Sequence, residues 1–227
     1  MTRAAPFAAL AVALDVRPRA CSTSPVTASD LAIAAISALL GAHLVAEARG
    51  AAALRAVTKV AASLGFVALA LLGGVEGAFE SGILAGLVLS VAGDALLLSE
   101  RRSAFLAGLV AFLLAHVAYA VAFAGVARPI AWTALPLAAA LGLALRWLWP
   151  HLGTMKAPVV VYCLVISAMV WLALGVESPQ VRLGAVLFYL SDLLVARDRF
   201  VRPGFVNRLV GLPLYYAAQV LLALAVS

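Results

Sequence analysis

Of the 227 residues, 66% are hydrophobic and only 11% are charged, and the mean hydropathy is +1.12. A soluble domain carries about a quarter charged residues, so this composition excludes one and points to an all-α, polytopic membrane helix bundle. The formal net charge of +6 would suggest nucleic acid in a soluble chain. Here the arginines fall at the ends of apolar runs, where they orient helices and meet anionic headgroups, and no nucleic-acid partner is expected.

At roughly 20 apolar residues per span, the length leaves room for about eight helices joined by short loops. The run from Pro6 to Leu14 is too short to cross a bilayer, and Asp15, Arg17, Pro18 and Arg19 follow it in place of a small-residue cleavage site. Residues 1–29 are therefore expected to be a disordered tail, and residues 30–226 an eight-helix transmembrane domain. The spans are predicted at 30–48, 56–73, 78–98, 103–125, 130–148, 157–175, 180–196 and 207–226. Glycines, prolines and charges mark the joints, as at Arg49-Gly50, Gly73-Gly74, Arg128-Pro129, Ser178-Pro179 and Arg202-Pro203-Gly204.

Basic residues cluster after the odd-numbered spans: Arg49, Arg55 and Lys59; Arg101 and Arg102; Arg146 and Lys156; Arg197, Arg199, Arg202 and Arg208. The opposite side has Arg128 and Arg182 with the tail arginines Arg3, Arg17 and Arg19. The positive-inside rule then places both termini outside. Matched positions also suggest duplication. Asp94 and Asp192 lie 98 residues apart, and Lys59 and Lys156 lie 97 apart. Spans one to four and five to eight would be two parallel four-helix repeats. Gly82 and Gly86 are spaced for close helix approach, while Trp132, Trp147, Trp149 and Trp171 read as interfacial anchors. Cys21 and Cys163 form no metal-type spacing, so neither a disulfide nor a metal cluster is indicated.

Asp94 and Asp192 are the residues with most chemical content. A carboxylate in hydrocarbon is costly and marks function by default. Both lie one to two turns inside the arginine-rich end, on the order of 6–9 Å, and so can share a site. Lys59 and Lys156 start helices at that end and could hold a carboxylate charged. Arg101 and Arg199, two turns further out, lie where a phosphate would sit. His116 and Tyr119 share a helix face, with His116 expected to lie about 10 Å deeper than the aspartates. Tyr215, Tyr216 and Gln219 occupy a comparable place in the second repeat. A lone intramembrane histidine is more often an interhelical hydrogen bond than a catalyst. Tyr162 and Tyr189 read as packing, and His43 with Glu47 as a polar seam or a snorkelling pair.

Two acids close together in low dielectric do not ionise together, which leaves one general acid and one base or charge stabiliser. No Gly-x-Ser-x-Gly, His-x-x-x-x-Asp or His-Glu-x-x-His motif is present. Acid–base chemistry with water on a lipid-like substrate therefore fits better than a covalent route. The alternative is a small proton-coupled lipid or solute transporter with the two acids as its relay.

A set of segments resembles the YhhN family, the lysoplasmalogenases: Gly93-Asp94-Ala95-Leu96-Leu97; Phe112 with His116 and Tyr119; Gly184 to Asp192; Arg199-Phe200; and Tyr215-Tyr216 with Gln219. Lys59 matches too, although Val60 stands where a proline usually follows. The resemblance covers about residues 30–226. It implies a multi-pass hydrolase that cleaves the vinyl ether of a lysoplasmalogen, or a related ether lysolipid, to a fatty aldehyde and glycerophospho-ethanolamine or -choline. Asp94 and Asp192 would be catalytic. Lys59, His116, Tyr119, Tyr189, Arg199, Tyr215, Tyr216 and Gln219 would bind substrate, and neither cofactor nor metal is implied. Alanine-rich, arginine-over-lysine usage points to a GC-rich bacterial genome and an inner-membrane location.

Overall fold

The computed structural model describes residues 26–99 and 101–226. The expected tail lies, up to residue 25, outside the described residues. Eight helices follow: α1 Ala28–Arg49, α2 Ala52–Gly73, α3 Ala78–Leu96, α4 Arg102–Ala124, α5 Ala134–Leu148, α6 Lys156–Leu174, α7 Pro179–Ala196 and α8 Phe205–Leu224. All eight are long and apolar enough to cross a membrane, α5 together with its flanking 3-10 turns.

Local chemistry accounts for the boundaries. Thr27 and Asp30 form a reciprocal capping box at the start of α1, and Gly50 closes that helix in a left-handed conformation with φ of +66°. Ser178 caps α7 with Pro179 in its first turn, where a missing N–H costs nothing. Two boundaries differ from the sequence expectation in ways that matter. Helix α2 starts a turn earlier than predicted, so Arg55 rides on it and Lys59 lies two turns in from its start. Helix α7 runs on through a π-helical turn, Arg197–Val201, instead of ending near residue 196.

Six helices form a closed ring in the order α2, α3, α4, α6, α7, α8 and back to α2. Helix α1 lies outside against α2 and α8, and α5 lies outside against α6. The neighbour order of two four-helix units is thus repeated, with the first helix of each unit outermost. Small residues set the closest approaches. A Cβ on Gly86 would collide with the Tyr119 ring, and one on Gly93 would stand 2.6 Å from the Phe112 ring. Aromatic side chains of α4 therefore lie directly on the α3 backbone, beside Asp94. The core joins Phe66, Ile83, Leu87, Phe112, Phe188 and Tyr215 across the ring. Outward faces carry exposed Leu64, Val121, Leu135 and Leu183, as lipid-facing helices require.

Candidate active site

Each helix of the ring contributes a side chain to a polar centre inside this apolar shell. On α3, Asp94 is only 2% exposed. Its Oδ2 accepts hydrogen bonds from Ser63 of α2 at 2.7 Å and Tyr215 of α8 at 2.6 Å. The Lys59 ammonium lies 3.1 Å from its Oδ1. A second layer fixes these donors. Tyr216 donates to the Lys59 carbonyl at 3.1 Å and lies 3.2 Å from Ser63 Oγ. Gln219 donates to the Tyr215 hydroxyl at 3.2 Å and accepts from Tyr119 at 2.8 Å. A buried carboxylate is tolerated only with such partners, and Asp94 has two hydroxyl donors and a cation.

Asp192 on α7 is served differently. Its Oδ2 accepts from Tyr162 of α6 at 2.6 Å and faces His116 Nε2 of α4 at 3.8 Å. No lysine or arginine lies within ion-pair distance of it among the described residues. The expectation that both lysines would serve the aspartates holds for Lys59 alone. Lys156 sits over the Trp149 ring, 4.7 Å from its centroid, because it is the first residue of α6 whereas Lys59 lies two turns into α2.

His116 was expected about 10 Å below the aspartates, yet it stands against Asp192. A helix α7 ending near residue 196 would leave Asp192 only about one turn from its end. The π-helical turn carries the helix on to Val201, which puts Asp192 a further turn inside.

Both aspartates line one cavity of about 600 Å³ that runs to the arginine-rich end of the bundle, and Lys59, Tyr189, Arg199 and Tyr215 line it with them. This lies within the usual size of a small-molecule site. His116, Tyr119, Tyr216 and Gln219 are buried behind that wall. They hold the residues that line the cavity rather than forming its surface. Among the described residues no group of three or more His, Cys, Asp or Glu is placed to hold a metal ion.

At the mouth, Glu47 of α1 pairs with Arg208 of α8 at 2.8 Å and lies 3.7 Å from Arg55 of α2. Arg208 also reaches Asp198 at 3.3 Å, and Asp198 accepts from the Gly204 amide at 2.8 Å and from Asn207 at 3.0 Å. Asn207 in turn accepts from Arg197. Arg199 stands apart from this network, its guanidinium 4.0 Å from the centroid of the Phe105 ring. His43, the other member of the predicted seam, donates to the Arg55 carbonyl at 3.0 Å and lies 3.2 Å from Thr58 Oγ1. Sequence reasoning missed Ser63 and Asn207 and read Tyr162 as packing. A serine or a tyrosine in an apolar helix gives no signal of its partner, although Ser63 lies one turn from Lys59 on the same face.

A ring of membrane-spanning helices around an internal, one-ended cavity with two unlike carboxylates defines a polytopic membrane protein with an intramembrane acid site. The YhhN family model matches residues 54–226, and the chain belongs to that family. It is 36% identical over 155 residues to the Bos taurus protein named lysoplasmalogenase TMEM86A, covering 63% of this chain and 64% of the relative. The Homo sapiens protein of the same name matches to the same extent. A Mycobacterium bovis protein named lysoplasmalogenase is 37% identical over 150 residues, covering 60% of this chain and 56% of the relative. The match thus spans somewhat less than two thirds of these relatives. No solved structure matches the chain.

Proposed function

We propose that this protein hydrolyses the vinyl-ether bond of a lysoplasmalogen or related ether lysolipid, releasing a fatty aldehyde and a glycerophospho-base. The observation that carries the reading is the unlike provision for two carboxylates in one cavity. Asp94, with two hydroxyl donors and an ammonium, is equipped to stay ionised. Asp192 has one donor and no cation beside it, and it fits a neutral acid.

Vinyl ethers hydrolyse by protonation of the double-bond carbon remote from oxygen, which leaves an oxocarbenium ion that water attacks. Asp192 delivers that proton, and the Asp94 carboxylate stabilises the cation. The hemiacetal then collapses to aldehyde and alcohol, and the proton returns to the site. The apolar wall formed by Leu109, Phe112, Val159 and Ile166 takes the alkenyl chain. Arg199, held on Phe105 and outside the ion-pair network, takes the phosphate. The relatives named lysoplasmalogenase support the substrate class. We further propose an inner-membrane protein with the arginine-rich cavity mouth on the cytoplasmic side, following the positive-inside rule.

The test is aldehyde release from lysoplasmalogen by the purified protein, beside Asp94→Asn and Asp192→Asn. Wild-type release that falls by about 10²-fold or more in both variants, with folding kept, supports the reading. Release that survives both substitutions removes the two acids from the chemistry.

A further inference from the structure

Behind Asp192, away from the cavity, His116 is fully buried and only half satisfied. Its Nδ1 lies 2.6 Å from the Phe112 carbonyl oxygen. A carbonyl only accepts, so Nδ1 carries a proton. The other nitrogen, Nε2, has no hydrogen-bond partner among the described residues, and the polar atom it faces is Asp192 Oδ2, at 3.8 Å. The ring is held in that orientation by Tyr162, with centroids 5.3 Å apart, and by Phe188, at 4.6 Å. A neutral imidazole with its proton on Nδ1 presents a lone pair to a carboxyl oxygen. Two lone pairs repel, whereas a single proton between them turns the contact into an attraction.

We infer that Asp192 and His116 hold one shared proton, with His116 as the buried store and Asp192 as the end that meets the cavity. His116 is then a positioning residue that keeps Asp192 supplied with the proton given to substrate. The inference rests on the proposed ether hydrolysis for its chemical use, but the shared proton itself does not. Proton accounting closes within the pair. The proton passes from Asp192 to the vinyl-ether carbon, and the water that adds to the oxocarbenium ion returns one proton to the pair. Tyr162 of α6 donates to Asp192, Cys163, Tyr189, Asp94, Lys59 and Arg199 line the same cavity, and Tyr215 of α8 lies behind Phe112 and Phe188. Among the described residues no lysine or arginine comes within ion-pair distance of Asp192 to replace the proton.

The arrangement is tested in two ways on the full chain in detergent. The first is ¹⁵N NMR of histidine-labelled protein, which is tractable because the chain has only three histidines. Wild type is expected to show His116 protonated at Nδ1 with an Nε2 signal displaced by a hydrogen bond. Asp192→Asn should move that signal. An Nε2 signal typical of a free lone pair, unchanged by Asp192→Asn, overturns the inference whether or not the protein is a hydrolase.

The second is aldehyde release across pH. His116→Asn keeps a donor for the Phe112 carbonyl but lacks Nε2. It should lower kcat about tenfold or more, leave KM within about twofold, and shift the alkaline limb of the profile to lower pH. His116→Gln, which restores a polar atom near the Nε2 position, should recover part of kcat. Unchanged kcat and profile in a folded His116→Asn protein overturn the proposed role. If wild type releases no aldehyde while the NMR response to Asp192→Asn is present, the shared proton stands and the ether-hydrolase reading falls.

Discussion

Asp94 and Asp192 are one residue type in unlike surroundings, and the difference lies in their donors. Tyr162→Phe removes the hydroxyl donor of Asp192 without changing side-chain volume much. It is expected to cut aldehyde release and to lower the thermal midpoint, because a buried carboxyl oxygen loses its donor at a cost of about 1–3 kcal/mol. Ser63→Ala leaves Asp94 with Tyr215 and Lys59. The expected cost is about 1.5–3 kcal/mol of stability, the worth of a hydrogen bond to a charged group, measured by thermal unfolding in detergent. Both aspartates were legible in the sequence because a carboxylate is conspicuous in an apolar run. Of their partners only Lys59 was. Tyr162 is one of several tyrosines in apolar helices, and only the approach of α6 to α7 makes it a donor.

At the level of helices, the ring depends on close contact between α3 and α4. Gly93→Ala would drive a methyl group to within 2.6 Å of the Phe112 ring, which already packs edge-on against Phe188 and Tyr215. The ring can retreat only toward the cavity it lines, so about 1–3 kcal/mol of destabilisation is expected, along with reduced activity through a narrowed cavity and a displaced Tyr215. At the cavity mouth, the Glu47–Arg208–Asp198 network ties α1, α8 and the π-helical turn together. Glu47→Gln and Arg208→Leu should each lower the thermal midpoint. The double variant should lose less than the sum, since the two share one interaction. Hydropathy alone placed the eight spans within a few residues. The π-helical turn was invisible to it, and with that turn went the true depth of Asp192 and its contact with His116.

Across the whole molecule, the two halves exchange partners. Asp94 takes one hydroxyl from the helix before it, Ser63 of α2, and one from the last helix of the other half, Tyr215 of α8. Asp192 takes Tyr162 of α6 and faces His116 of α4 in the same pattern. The 98-residue spacing hinted at this doubling, but which residues differ between the halves emerges only in three dimensions. A lysine serves one acid and a histidine faces the other, and in the proposed mechanism that asymmetry divides fixed charge from mobile proton. Topology is open to a direct check. A cysteine at Ser178, in the loop between α6 and α7, should react with a membrane-impermeant maleimide in intact cells. One at Arg102, at the arginine-rich end, should react only after permeabilisation.

The most direct test of proton transfer from Asp192 to the vinyl-ether carbon is to run the reaction in deuterium oxide and weigh the aldehyde released from lysoplasmalogen. One deuterium on the carbon next to the carbonyl, with release lost in Asp192→Asn, is the predicted result. Aldehyde without deuterium, or deuterated aldehyde still released at the wild-type rate by Asp192→Asn, would contradict the account.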